Sequence, residues 1–111
     1  MENEVNRAVA ELSELNDFLL DVSKLGAKEL TEVIGEKSPD YLENLKSLGE
    51  TPKRATNILI DYGIWRLLWL HNNYEKVWSE VADTYFKSDF HAGRPQLVKA
   101  LWTHVEMVIK E

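Results

Sequence analysis

The most constraining feature of this chain is the spacing of its apolar residues near the N-terminus. Val5, Ala8, Leu12, Leu15, Leu19 and Val22 recur at alternating steps of three and four, which places them along one side of an α-helix and not on one face of a strand. Val9, Phe18 and Leu25 widen the stripe beyond a two-stranded coiled-coil seam, so the helix is expected to pack into a bundle. Lys24 suits the negative end of the helix dipole, and Gly26 is expected to take the left-handed conformation just past the helix end.

The same periodicity continues along the chain. Ala27 to Ile34 reads as a short helix closed by Gly35. Ser38-Pro39 then supplies a helix start, with Ser at the N-cap and Pro at the first helical position, and Tyr41, Leu42, Leu45 and Leu48 give the apolar face up to Gly49. Thr51-Pro52 repeats the start device, opening a helix with Ala55, Ile58, Leu59, Tyr62, Trp65, Leu68 and Trp69 at helical spacing, in which Gly63 is a candidate close-packing point. His71-Asn72-Asn73 interrupts the pattern, so a further helix is expected from about Tyr74 to Lys87, or one long bent helix across the two Asn. "SDFHAGRP" reads as a loop, and Pro95 opens a last helix with Leu97, Leu101, Val105, Val108 and Ile109 inside. No alternating run suggests a strand. The fold class is therefore all-α, a compact helical bundle of about five helices, with residues 1–111 forming a single helical domain.

Composition agrees. A chain of 111 residues with 44% hydrophobic content can bury a core of its own, which argues against disorder despite 29% charged residues. There is no Cys, hence no disulfide and no thiolate metal site. The N-terminus lacks the basic and apolar blocks of a signal peptide, and the longest apolar run, "IWRLLWL", is far short of a membrane span. The expectation is a cytoplasmic protein with no membrane association.

The net charge of −6 is unevenly distributed: residues 1–50 carry twelve acids against five Lys and Arg, and residues 51–111 carry seven against eight. An acidic half points away from nucleic acid, which calls for a basic face, and toward a basic protein partner. Glu11, Glu14, Asp17 and Asp21 follow one another at three- and four-residue steps on the outward side of the first helix and are the candidate acidic contacts.

One motif speaks for DNA. "SPDYLENLKSLG" followed by "TPKRATNILIDYG" has the helix, Gly-containing turn and helix of a helix-turn-helix unit over residues 38–63, in which Lys53 and Arg54 would meet phosphate or guanine edges and Asn57 a base. Against it, Leu45 stands where a small residue is wanted, Glu50 replaces the apolar plug of the turn, and the second helix runs on into "IWRLLWL", too apolar for a groove. Residues 48–57, "LGETPKRATN", are read first as a helix stop followed by a helix start capped by Thr51.

Catalytic patterns are absent from the sequence: there is no Cys nucleophile, no Glu-x-x-His or His-Glu-x-x-His motif, no P-loop and no glycine fingerprint. His71, His91 and His104 are dispersed along the chain. No enzymatic activity, cofactor or metal is expected. Asp61 could be either a buried functional carboxylate or a solvent-facing one. What is left is aromatic, with Trp65, Trp69, Tyr74, Trp78, Tyr85, Phe86 and Phe90 within 26 residues. Trp and Tyr beside Arg66 are the residue types that anchor interfaces. The expected function is thus a non-enzymatic protein-protein interaction module, such as an adaptor, small subunit or inhibitor of a basic partner. Trp65, Arg66, Trp69 and Trp78 join the acidic residues as contacts, and the chain is expected to self-associate as a homo-oligomer. The alternative is a DNA-binding regulator.

Overall fold

The computed structural model describes residues 3–48, 54–87 and 96–109. Among them are six α-helices and no strand: α1 (Glu4–Val22), α2 (Ala27–Lys37), α3 (Pro39–Leu48), α4 (Ala55–Asn73), α5 (Trp78–Tyr85) and α6 (Leu97–Ile109). A single 3-10 turn, Glu75–Val77, joins α4 to α5. The all-α bundle expected from the sequence is the fold.

The apolar stripe of α1 is consumed inside the molecule, where Val5, Ala8, Leu12, Leu15, Leu19 and Val22 are all buried. They pack against α4, α5 and α6, so α1 is one wall of the core. Burying a Leu or Val stabilises by about 1.5–3 kcal/mol each, so this single stripe is a large part of what holds the bundle closed. Asn3 caps the helix, its Oδ1 accepting from the Val5 amide at 2.9 Å. The other end departs from expectation: Gly26 has φ −72° and ψ 166°, an extended conformation, and serves as the N-cap of α2. The helix ends instead at Ser23, whose hydroxyl donates to the Leu20 carbonyl at 2.8 Å.

Gly35 does not close α2. The helix continues to Lys37 with Gly35 inside it, where the Leu42 side chain of α3 sits 2.9 Å from where a Cβ would be. Pro39 opens α3 as expected, with the Tyr41 amide donating to the Ser38 carbonyl at 3.1 Å. The Ser38 hydroxyl pairs with the Tyr62 hydroxyl of α4 at 2.8 Å, so this residue ties two helices together.

α4 is the centre of the bundle. It packs on α1, α2 and α6, which explains why its sequence is apolar on nearly all sides. Gly63 is buried at its midpoint, with Leu101 and Leu19 closing on it from α6 and α1. The described helix begins at Ala55 with Arg54 at the N-cap, so it starts later than the expected Pro52. Thr51, Pro52 and Lys53 lie outside the described residues. At its far end the His-Asn-Asn segment remains helical, and the break falls at Tyr74. The helix expected from Tyr74 to Lys87 is thus a 3-10 turn followed by the shorter α5.

Candidate interaction surface

Two aromatic groups form where the sequence suggests one. In the first, Tyr41 of α3 meets Tyr62 and Trp65 of α4 at ring-centroid distances of 5.1 and 5.4 Å, and Phe18 of α1 meets Tyr62 edge-on at 5.7 Å. Tyr41 is buried, and its hydroxyl donates to Asp61 Oδ2 at 2.5 Å. Burial, and then the Asp61 carboxylate, push the phenol far above its ordinary range. Asp61 is therefore an exposed carboxylate that anchors a buried tyrosine.

The second group lies at the other end of α4. Trp78 and Trp102 pack at 4.9 Å, Phe86 stacks on Trp102 at 5.9 Å, and His71 approaches both indoles at 5.4 and 5.5 Å. Trp78 is thus a core residue and stands apart from the surface contacts expected of it. Spacing alone could not reveal this, because the partner that buries it, Trp102, lies 24 residues away on α6.

Trp65 and Trp69 remain near the surface, one turn apart on α4. Trp69 is 40% exposed, and the Arg66 guanidinium lies over its ring, 4.2 Å from the centroid. Arg66 also pairs with Glu11 Oε1 at 3.6 Å. That pair is half-buried and, at this distance, contributes about 1 kcal/mol or less, and it holds the guanidinium on the Trp69 side of α4. These side chains line one wall of a cleft of about 310 Å³. Lys37, Ser38, Pro39 and Asp40 form the wall opposite, and Glu14 enters from α1. Lys37 is itself held over the Phe18 ring at 4.9 Å.

The acidic stripe of α1 therefore divides. Glu11 turns toward α4, where it partners Arg66 and, after burial, raises the Tyr74 phenol. Glu14 opens into the cleft, and Asp21 is exposed. Asp17 lies on the α5 side, where burial and then its charge push the Tyr85 phenol up to about 12. A helix turning 100° per residue cannot keep four such positions on one narrow line once neighbours pack on both flanks.

The residues of the DNA reading are only partly described. Arg54 and Asn57 are exposed in the first turn of α4, and Lys53 falls outside the described residues. α3 packs chiefly on α2 and reaches α4 through Tyr41. His104 is exposed on α6, and among the described residues no three His, Asp or Glu side chains are grouped to hold a metal ion. No described helix is long and apolar enough to cross a membrane. Comparison with known protein families, characterised proteins and solved structures finds no significant match, so the geometry above stands on its own.

Proposed function

We propose that this chain is a non-enzymatic protein-binding module whose cleft between α4 and the α2–α3 junction docks a basic segment of a protein partner. The observation that carries the reading is Trp69, a large aromatic held 40% exposed by a stacked and ion-paired arginine at the edge of a cleft. Aromatic residues beside Arg are the commonest anchors of binding energy at interfaces. The charge of the partner follows from the surroundings. Lys37 and Arg66 are already engaged with Phe18, Trp69 and Glu11, whereas Glu14 and Asp40 face the cleft opening from the acidic half of the chain. The field of that half favours approach of a basic segment over an acidic one.

The helix-turn-helix alternative has less support, because α4 packs on α1, α2 and α6 and the residues it exposes beyond its first turn include Ile60, Leu68 and Trp69, which are unsuited to a DNA groove.

The experiment is calorimetric titration with an arginine-rich peptide, its glutamate-for-arginine counterpart and a DNA duplex. The expected result is binding of the basic peptide that weakens with salt and is lost in Trp69→Ala and Glu14→Lys, with no response to the other two ligands. Equal binding of both peptides, or no loss in either variant, overturns the reading. Salt-sensitive duplex binding lost on Arg54→Glu promotes the DNA alternative.

A further inference from the structure

We propose that Arg66 is a built-in stand-in for the residue the cleft receives, and that a basic segment docks by placing one arginine of its own where Arg66 now lies, against Trp69 and Glu11. The inference rests on the cleft reading above. It narrows the ligand from a basic segment to an arginine side chain, and makes Arg66 the occupant that must first leave.

The residue already in place indicates what the site takes. The Arg66 guanidinium lies 4.2 Å from the centre of the Trp69 ring, and its Nη2 is 3.6 Å from Glu11 Oε1. A flat cation, an aromatic face and a carboxylate therefore come together at the edge of the cleft. That combination selects arginine over lysine, because a guanidinium is planar, weakly hydrated and stacks on a ring, whereas an ammonium is a compact and strongly hydrated charge. Trp65, one turn before Trp69 on α4, and Glu14 of α1 line the same cleft, so an entering side chain meets further aromatic surface and a further carboxylate.

Arg66 is held lightly. It stands three residues before Trp69 and reaches the ring along the surface of its own helix. Its contact with Glu11 is made by one nitrogen at 3.6 Å, well beyond the roughly 2.7–2.9 Å of a charge-assisted hydrogen bond. Both side chains are 26% exposed, so Arg66 can exchange its partners for water. Its seated and released positions are then two states of the site, and a ligand that needs the released one binds more weakly in proportion to how rarely that state is populated. An incoming arginine restores to Trp69 and Glu11 the partner they lose, which a lysine does only in part. Arg66 is thus an autoinhibitory contact that also filters the ligand.

The test is calorimetric titration of the full chain with two peptides of equal length and charge, one rich in arginine and one in lysine, using wild type, Arg66→Lys and Arg66→Gln. Wild type is expected to bind the arginine peptide more tightly. Arg66→Lys keeps the charge but loses the planar stack, and should tighten the arginine peptide roughly three- to tenfold while leaving the lysine peptide within about twofold. Arg66→Gln also removes a repelling charge, and should tighten both peptides, the arginine one more. In wild type, the Arg66 side-chain NMR signals, shifted by the Trp69 ring, should move to unshifted positions when the arginine peptide is added. Circular dichroism checks the fold of each variant, and the NMR measurement needs no variant at all. Equal gains for the two peptides in both variants, weaker arginine binding in the variants, or Arg66 signals that keep their ring shift in the complex would overturn the exchange while leaving the cleft reading in place. Absence of binding by either peptide to wild type and variants alike overturns both.

Discussion

Asn16 of α1 accepts a hydrogen bond from the Val98 amide of α6 through Oδ1, at 3.3 Å, so a side chain of the first helix caps the start of the last. Asn16 is 3% exposed, and α6 begins at Leu97, which makes the Val98 N–H one of the helix's unpaired donors. Replacing Asn16 with Leu keeps the number and branching of side-chain heavy atoms but leaves that amide buried and unsatisfied. The expected cost is about 1–3 kcal/mol, measured as a shift of the urea midpoint at constant slope. A cost below about 0.5 kcal/mol would mean that the bond does not hold α6 in place.

At Gly63 the effect depends on size. A Cβ there would clash with Leu101 Cδ1 and stand 3.4 Å from Leu19 Cδ1. The Leu101 contact is with the end of a flexible side chain, so Gly63→Ala sets a gain of about 1 kcal/mol in helix propensity against repacking and should change stability little. Gly63→Val adds branches that neither leucine can clear and should destabilise by roughly 1–3 kcal/mol. Thermal melts of the two variants, with Leu101→Ala added to each, should show strong non-additivity.

Arg54 occupies the N-cap of α4 with φ −100° and ψ 137°, the right backbone for a cap, yet no side-chain bond is made there, and its positive charge opposes the dipole. Arg54→Asp supplies both an acceptor and a favourable charge, and should raise stability by about 1 kcal/mol in thermal melts. The same substitution bears on function, because stability alone would prefer an acid at this site. A neutral or destabilising effect would show that the arginine makes contacts the helix needs.

Tyr85 makes the fold sensitive to alkali. Its folded pKa is about 12 against an ordinary 10, so the native state holds the proton more tightly. The contribution is complete below pH 10, where both states are protonated, and is lost as pH rises from 10 through 12, amounting to about 2 kcal/mol by the upper end. Tyr41 shifts in the same direction and sharpens the loss. Tyr85→Phe gives up a long hydrogen bond to the Leu12 carbonyl at 3.5 Å and the interaction with Ser13. It should therefore cost little at neutral pH and flatten the alkaline limb of the stability curve. Tyrosinate absorbance followed alongside circular dichroism separates titration from unfolding. An unchanged alkaline limb in this variant would assign the sensitivity to other groups.

Periodicity is a local property, and so the helices and their buried faces were legible from the chain alone. Val5 through Val22 had to lie on one side of a helix, and Pro39 had to sit at a helix start, because backbone geometry permits little else.

What the sequence left open was decided by contacts between residues far apart in the chain. Trp78 and Trp69 have the same chemistry, but Trp102 packs on one in the core, whereas the other lies under Arg66 and stays 40% exposed. Ser38 carries a capping sequence, yet its hydroxyl pairs with Tyr62, and Asn16 reads as an ordinary polar helix residue until α6 arrives above it. The four acids of α1 share a spacing but face four surroundings, because α4 packs on one flank and α5 on the other. Helical spacing fixes which side of its own helix a residue occupies; only the packing of the helices fixes whether that side meets a neighbour or water.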